Sequence, residues 1–418
     1  MRFFNVIFGC TLTVGLLVGC ASNGPNEEVP EVVKPVSPTS TTAVLGLTET
    51  EKNVAVATQG FGYSFFKAVN KTQTTQGNLV VSPLSAQLLL SMTANAADAS
   101  AVSEIVTVLG CDDFDSLNSL GKKYVTQLPK ADISVKMALA NSVWYNYTYQ
   151  LNSDFAQSAG NFFSADCVAC DFTKSDVVVT GINAWCADKT NGLINEIIKN
   201  IPDGIDAIMA NAMYLKGEWA DPFEVKDTKD ACFHGVFANR DVKMMHKIGT
   251  QHYAEGDGYV AVKKEMGNGA FAVTFVLPDK NIAISDFIES FICSELVDIL
   301  YRDITIDLSL PRCKPSLDAV DLVSALRLLG INKLFDGTGL SLFTQQSHGT
   351  FKINQKTAVE FDEIGAEGAS VTWNFMQTSN LGDDKADVPV VTFDRPYLFF
   401  VSEATTGVCL MAGKITDL

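Results

Sequence analysis

The sequence predicts a single α+β domain, and three observations lead there. Apolar residues recur at helical spacing through most of the first half of the chain, and alternate at strand spacing through most of the second. Neither an internal repeat nor an interior linker divides the two. At 418 residues and 47% hydrophobic composition, the chain is long enough to bury one large core. One domain of about 370 residues is the economical count.

The first twenty residues, MRFFNVIFGCTLTVGLLVGC, place one positive charge ahead of an apolar run from Phe3 to Val18, too short for a resident membrane span. Residues 1–19 are expected to be a signal peptide. The run ends in Leu17-Val18-Gly19-Cys20, which resembles the lipobox of bacterial lipoproteins and would make Cys20 the lipidated first residue of the mature chain; an ordinary signal peptide is the alternative. Ala21 is not the aspartate that commonly signals inner-membrane retention, so the expected location is the outer membrane of a Gram-negative cell, on either face. Residues 20–44 are rich in Pro, Ser, Thr and Asn, a composition that buries too little surface to order itself and should act as a flexible tether. The folded domain is expected over 45–418.

Within it, Phe61, Phe65, Phe66 and Val69 share one helical face. In NLVVSPLSAQLLLSMTANAA a short apolar strand meets Ser82 as a helix cap, with Pro83 at the first helical position, where its missing N–H costs nothing. ITIDLSLP alternates Ile304, Ile306, Leu308 and Leu310 with polar neighbours, a strand buried on one face. Leu322, Ala325, Leu326 and Leu329 then line a helix closed by Gly330. VPVVTFDRPYLFFV and GVCLMAGKI read as two core strands joined by a Thr405-Thr406-Gly407 turn.

Several functions are disfavoured. With a formal charge of −17 and no Lys/Arg cluster beyond pairs such as Lys122-Lys123 and Lys263-Lys264, the chain is not expected to bind nucleic acid. Nucleophile elbows, His-Glu-x-x-His helices and P-loops are absent, and Gly60-Phe61-Gly62 lacks the third glycine of a dinucleotide turn. Four histidines, His234, His246, His252 and His348, leave a Ser-His or Cys-His hydrolase as a remote option; no enzyme and no cofactor are expected. Cys167-Val168-Ala169-Cys170 has no second close pair to complete a zinc site, so a local disulfide or buried thiols are expected there and no metal.

One stretch fits none of this. EIGAEGASVTWNFMQTSN, Glu363 to Asn380, alternates the small residues Ala366, Gly368, Ser370, Thr372 and Asn374 with Glu367, Ala369, Val371, Trp373 and Phe375. That is strand periodicity with a slim face, yet Gly365 and Gly368 make it a poor resident strand.

NLVVSPLSAQLLLSMTANAA, ANSVWYNYTYQLNSDF, INAWCADKTNGLINEII, NAMYLKGEWADPF, VKMMHK, LSLPRCKPSLDAVDLVSALRLLGINKLFD, AVEFDEIGAEGAS and FDRPYLFFV with GVCLMAGKI resemble the serpin family in order and spacing, from about residue 45 to the end. The resemblance implies helices packed around three β-sheets, one of them large and central, and an exposed reactive loop over about residues 364–390. It implies a suicide-substrate inhibitor of serine proteases, with cysteine proteases as a second class. A protease that attacks the loop forms an acyl-enzyme, and the cut loop enters the central sheet as a new strand, carrying the protease with it. The small face is then the one that must fit under the sheet, and Glu367, Trp373 and Phe375 fall on the opposite, solvent face.

Other roles are carried over residue by residue. Glu363, Gly365, Ala366, Glu367, Gly368, Ala369 and Ser370 match the loop hinge; Ser82, Ser85, Asn211 and Gln355 match the polar cluster where the sheet parts, and Trp219 the tryptophan at its top. Gln355 stands where many serpins have histidine, Gly368 replaces the usual alanine and Ala366 the usual threonine. Counting about fourteen residues from Gly365, as the family does, puts the reactive bond at Ser379-Asn380, with Thr378-Ser379 adjacent and Phe375, Met376 and Gln377 flanking it. Counting back from Pro396 moves it to Lys385. The hinge count implies elastase-like or subtilisin-like targets. The expected partners are a target protease held covalently and a membrane reached only through the lipid, with the chain a monomer; a non-inhibitory serpin acting as a surface binding module is the alternative.

Overall fold

Thr48 starts the first helix: its hydroxyl accepts from the Glu51 N–H while the Glu51 carboxylate accepts from the Thr48 N–H, a reciprocal cap that opens α1 (Glu49–Thr72). Phe61, Phe65, Phe66 and Val69 are buried together on its inner face, as their spacing predicts. β1 (Leu79–Val81) then runs directly into α2 (Pro83–Ala94), with Ser82 Oγ accepting from the Ser85 N–H at 3.1 Å. Every residue of α2 is buried. Buried on every side, Ser85, Gln87, Ser91 and Thr93 included, it packs between the two large sheets.

The computed structural model describes residues 45–418 except 74–75, 112, 191, 193, 202–203, 292–299, 315–319, 337–338, 345–349, 356, 358–359 and 367–387. Cys20 and the loop residues Glu367, Gly368, Ala369, Ser370, Phe375, Met376, Gln377, Thr378, Ser379 and Asn380 therefore lie outside the described residues. The remaining described α-helices are α3 (Ala99–Leu109), α4 (Phe114–Gln127), α5 (Ser153–Phe163), α6 (Ser175–Lys189), α7 (Ile284–Ser290) and α8 (Val323–Leu329). None of the described helices is long and apolar enough to cross a membrane.

Sixteen described strands form three sheets, and the α+β class with helices around three sheets is the observed architecture. In the five-stranded sheet, β2 (Val135–Asn146) pairs antiparallel with β4 (Ile205–Glu218), from Val135 opposite Gly217 to Tyr145 opposite Ala207. β3 (Asp166–Cys170) lies parallel to β2 on the far side. The nine-stranded sheet contains β5 (Lys229–His234), β6 (Asn239–Gly256), β7 (Tyr259–Met266), β8 (Phe271–Pro278) and β9 (Arg302–Pro311). Its other members are β1, β14 (Val390–Thr392), β15 (Tyr397–Glu403) and β16 (Cys409–Ile415). β10 (Val320–Asp321) and β12 (Asn354–Gln355) make the smallest sheet, and β11 (Thr350–Lys352) and β13 (Gly365–Ala366) both join β4.

Three local expectations need correction. VPVVTFDRPYLFFV is two strands: β14 runs parallel to β9, and β15 runs antiparallel to β8 and β16. The break falls where Pro396 has no N–H to give and the Arg395 guanidinium grips the Pro278 carbonyl at 2.8 Å. Leu322 caps α8 rather than belonging to it, because the Asp321 carboxylate accepts the Val323 N–H at 3.0 Å; Gly330 closes the helix in the left-handed region, φ 115°, as expected. Cys167 and Cys170 form no disulfide, and Cys167 is exposed. Three positions apart on an extended strand, their side chains leave opposite faces of β3.

Candidate functional site at the open edge of the five-stranded sheet

The chain reaches β4 twice on the side away from β2. Thr350, Phe351 and Lys352 lie parallel to the beginning of β4, against Ile205, Ala207 and Ile208. Gly365 and Ala366 lie antiparallel to its end, against Glu218 and Gly217. Between these contacts Asn354 and Gln355 stay close to β4 but pair with Asp321 and Val320, and Phe361 bridges Cys313. Among the described residues, positions 209–216 of β4 are therefore paired only with β2. The sheet is joined at both ends of this edge, and in between no described strand pairs with the outer backbone donors and acceptors of β4.

The upper join is closely built. Asp362 Oδ1 accepts the N–H groups of Ile364 (2.8 Å) and Gly365 (3.0 Å), folding the turn that reverses the chain. The Ile364 carbonyl accepts from Trp219 N (2.6 Å), the Glu363 carbonyl from Phe223 N (2.9 Å) and the Asp362 carbonyl from Trp219 Nε1 (2.9 Å). The indole ring stacks on Phe361, centroids 6.0 Å apart. Gly365 is obligatory for contact rather than for φ. A Cβ there would run into the Gly217 carbonyl oxygen and come within 2.6 Å of Glu218 Cα.

Glu363 is buried, and three groups meet its carboxylate. Arg312 Nε approaches both oxygens at 2.8 Å, its Nη2 reaches Oε1 at 2.7 Å, and Thr228 Oγ1 donates to Oε1 at 2.5 Å. Burial alone would raise the carboxyl's pKa, but these hydrogen bonds outweigh it and hold the group below the usual glutamate value. The loop base is thus tied to the end of β9 by a charge-assisted fork.

Lys264 is the unexpected member of this region. It is 3% exposed, lies over the rings of Phe223 (4.6 Å) and Trp219 (5.5 Å), and donates to the Asp221 carbonyl at 2.8 Å. Burial pulls its pKa from 10.5 down to about 8. Between those values the folded protein has released a proton that the unfolded chain still holds, so stability should rise with pH across that window, by about 3 kcal/mol in all. The Lys264→Met variant should lack this component. The check is the difference in unfolding midpoint between parent and variant across the window; a difference that does not change with pH would remove the claim.

The lower part of the opening contains two separate polar pairs. Gln355 grips the main chain of Ser82 in both directions, its Oε1 accepting from Ser82 N (2.7 Å) and its Nε2 donating to Ser82 O (2.8 Å). Ser82 Oγ donates to the Leu410 carbonyl at 2.7 Å while capping α2 at Ser85. Asn211 is not part of this pair: its Nδ2 donates to Asn141 Oδ1 at 2.9 Å, and Asn141 in turn donates to the Phe163 carbonyl. Sequence reasoning missed Arg312, Thr228, Asn141 and Lys264. None has a local signal, since each acts on a partner 43 to 135 positions away.

Of the catalytic alternatives, only one Cys-His contact occurs among the described residues: Cys232 Sγ lies 3.8 Å from His234 Nδ1 on exposed positions of β5. Burial lifts the Cys170 thiol to about 11, and no described cluster could hold a metal.

Two short segments thus join β4 on the side away from β2, one at each end of the strand. The family described as Serpin (serine protease inhibitor) matches residues 56–418, and the chain belongs to that family. Putative serpin-Z5 of Oryza sativa subsp. japonica is 29% identical, over 82% of this chain and 85% of its own length. Serine protease inhibitor 42Dd of Drosophila melanogaster is 28% identical, over 82% and 92% respectively. Among solved structures, the thermophilic serpin tengpin in its native state superposes with a TM-score of 0.80 at 24% identity, covering 89% of this chain and 95% of that one. Its latent state gives 0.74, covering 89% and 99%. Human thyroxine-binding globulin, solved as a complex, gives 0.79 at 19% identity, covering 88% and 99%.

Proposed function

We propose that this chain inhibits serine proteases by offering the segment after Ala366 as bait and inserting it, once cut, along the open edge of β4. Cysteine proteases are a second target class by the same acyl-enzyme chemistry. The observation that carries the reading is the register of Gly365 and Ala366 on Glu218 and Gly217, which points the following residues down the unpaired edge. Continued without a slip, that register sets Gly368 against Leu215, Ser370 against Met213, Thr372 against Asn211 and Asn374 against Met209. Leu215, Met213 and Met209 belong to the main core, where only small neighbours fit.

The other face needs a finer statement than solvent. Val371 and Trp373 come opposite Ala212 and Ala210, which pack with Trp144, Val178 and Ile182 beneath α6. Large side chains from the loop then meet small ones on β4, a complementary arrangement. Tengpin superposes with a higher TM-score in its native than in its latent state, 0.80 against 0.74, which fits a form in which that edge awaits the strand.

The hinge count puts the reactive bond at Ser379-Asn380, preceded by Phe375, Met376, Gln377 and Thr378, with no positive charge for an acidic specificity pocket to hold. Elastase-like and subtilisin-like enzymes are the proposed targets. A trypsin-like enzyme cutting at Lys385 would trail slack chain after insertion, be distorted less and escape by hydrolysis. The test is incubation with a protease panel, denaturing gels, and mass spectrometry of the released C-terminal peptide. A denaturation-resistant band with a peptide starting at Ser379 or Asn380 is expected. Stable trapping with a peptide starting at Ala386 would refute both the bond and the specificity, and cleavage without any stable complex would favour the non-inhibitory binding module.

The mature chain is further proposed to be a monomer lipidated at Cys20 and held at the outer membrane of a Gram-negative cell. One acyl chain anchors weakly, but a lipoprotein carries several. Cys20→Ala should move the protein from the membrane fraction to the soluble one. A variant as membrane-bound as its parent would end the lipobox reading.

A further inference from the structure

We propose that a cavity beside the C-terminal end of α1, remote from the open edge of β4, binds a small organic anion with an apolar body. The cavity has a volume of about 850 Å³ and is walled by the end of α1, the turn after β5, the segment joining β8 to α7, the approach to β15, and Lys414 of β16. That size suits a compact organic ligand.

Lys414 is what makes the cavity more than a crevice. The residue is 7% exposed and lines the cavity, and its ammonium has no acceptor among the described residues. Its pKa is lowered, with burial the cause and no neighbouring charge offsetting it. An ammonium largely withdrawn from water gains by pairing, and an anion in the cavity is the partner this one lacks.

The surrounding groups sharpen the choice of ligand. The Arg395 guanidinium is already engaged, with Nε and Nη2 on the Pro278 carbonyl and Nη1 on Asp394, so the one carboxylate in the wall is matched. Lys414 and the exposed Lys280 leave the cavity positive in a chain whose net charge is −17. Pro278, Ile282, Ile284 and Pro396 give it an apolar wall. Asn70, at the end of α1, has a buried side-chain oxygen that accepts no hydrogen bond from any described residue. Turning about its terminal bond would offer that oxygen to an N–H or O–H of the ligand. The chemistry asked for is therefore an aromatic or aliphatic carboxylate or sulfonate, with a donor group as a secondary feature.

The proposal is independent of protease inhibition and is tested on the intact, uncut protein with two fluorescent probes. Anilinonaphthalene sulfonate carries an anion, two aromatic units and an N–H; phenylnaphthylamine has the same body without the charge. The parent should bind the sulfonate about tenfold or more tightly than the neutral probe, the range of one charge-assisted contact. Lys414→Met, which keeps the stem and removes the charge, should erase that preference. Equal affinities in the parent, or an undiminished preference in Lys414→Met, would overturn the site. Should Lys414→Met fail to fold, Ser285→Trp, at an exposed position of the cavity wall, decides the matter by bulk: lost sulfonate binding supports the site, and unchanged binding overturns it.

Discussion

Cutting the loop beyond the hinge should raise the midpoint of thermal unfolding by roughly 10 °C or more. The eight positions 209–216 of β4 pair with no described strand on their outer side, and an inserted strand there would add ladder hydrogen bonds worth about 1 kcal/mol each. On the proposed mechanism the turn at Asp362 and the clamp of Gln355 on Ser82 would hold the uncut chain short of this state, and its persistence would then be measured as a rate. Gly368→Arg isolates the insertion step. In the continued register residue 368 meets Leu215, whose side chain lies in the main core, and a guanidinium placed there costs several kcal/mol by order of magnitude. That variant should be cleaved without trapping the protease, and its cut form should gain little heat resistance. Identical melting of cut and uncut parent protein would dispose of insertion altogether.

Arg312→Ala should destabilise the uncut protein by about 3 kcal/mol, the lower end of the range for stranding a buried charge, because Arg312 is itself partly exposed while Glu363 is not. The sign of its pH dependence follows from the lowered pKa of Glu363. The ion pair's contribution is fully present above the ordinary glutamate value of 4.5 and is lost as the pH falls through the lower folded value. Parent and variant should therefore differ most near neutrality and converge in acid. A second consequence concerns the loop: with its base released from β9, the uncut variant should lose inhibitory capacity on standing faster than the parent. Denaturant unfolding at two pH values tests the first statement and timed inhibition assays the second; a variant as stable as its parent at neutral pH would show that the fork at Glu363 holds nothing.

Much of the fold was legible because it is written in local periodicity and local caps. Ser82 and Pro83 mark the start of α2 through their own hydrogen-bonding chemistry, Gly330 closes α8 through its left-handed φ, and the alternation of Ile304 to Leu310 declares a half-buried strand. The errors arose where tertiary contacts decide. VPVVTFDRPYLFFV is apolar apart from Thr392 and Asp394-Arg395, and only the grip of Arg395 on Pro278, with His234 N donating to the Asp394 carbonyl, shows that the chain changes partners there. Cys167 and Cys170 looked like a pair by spacing, and the extended backbone of β3 sends them apart.

The site divides the same way. By itself the sequence determined the alternation of small residues in the segment after Gly365 and the family to which the surrounding motifs belong, because both are matters of residue type at a fixed spacing; Glu363 and Gln355 were singled out only through the resemblance to that family. Only the tertiary structure decided that Glu363 answers to Arg312 and Thr228, that Gln355 holds Ser82 while Asn211 turns to Asn141, and that Lys264 lies buried beneath Trp219 and Phe223. Those partners are joined through β4, β9 and α2, elements far apart in the chain. What a side chain bonds to across a sheet depends on which strands lie next to each other and in what register, and no run of neighbouring residues encodes either.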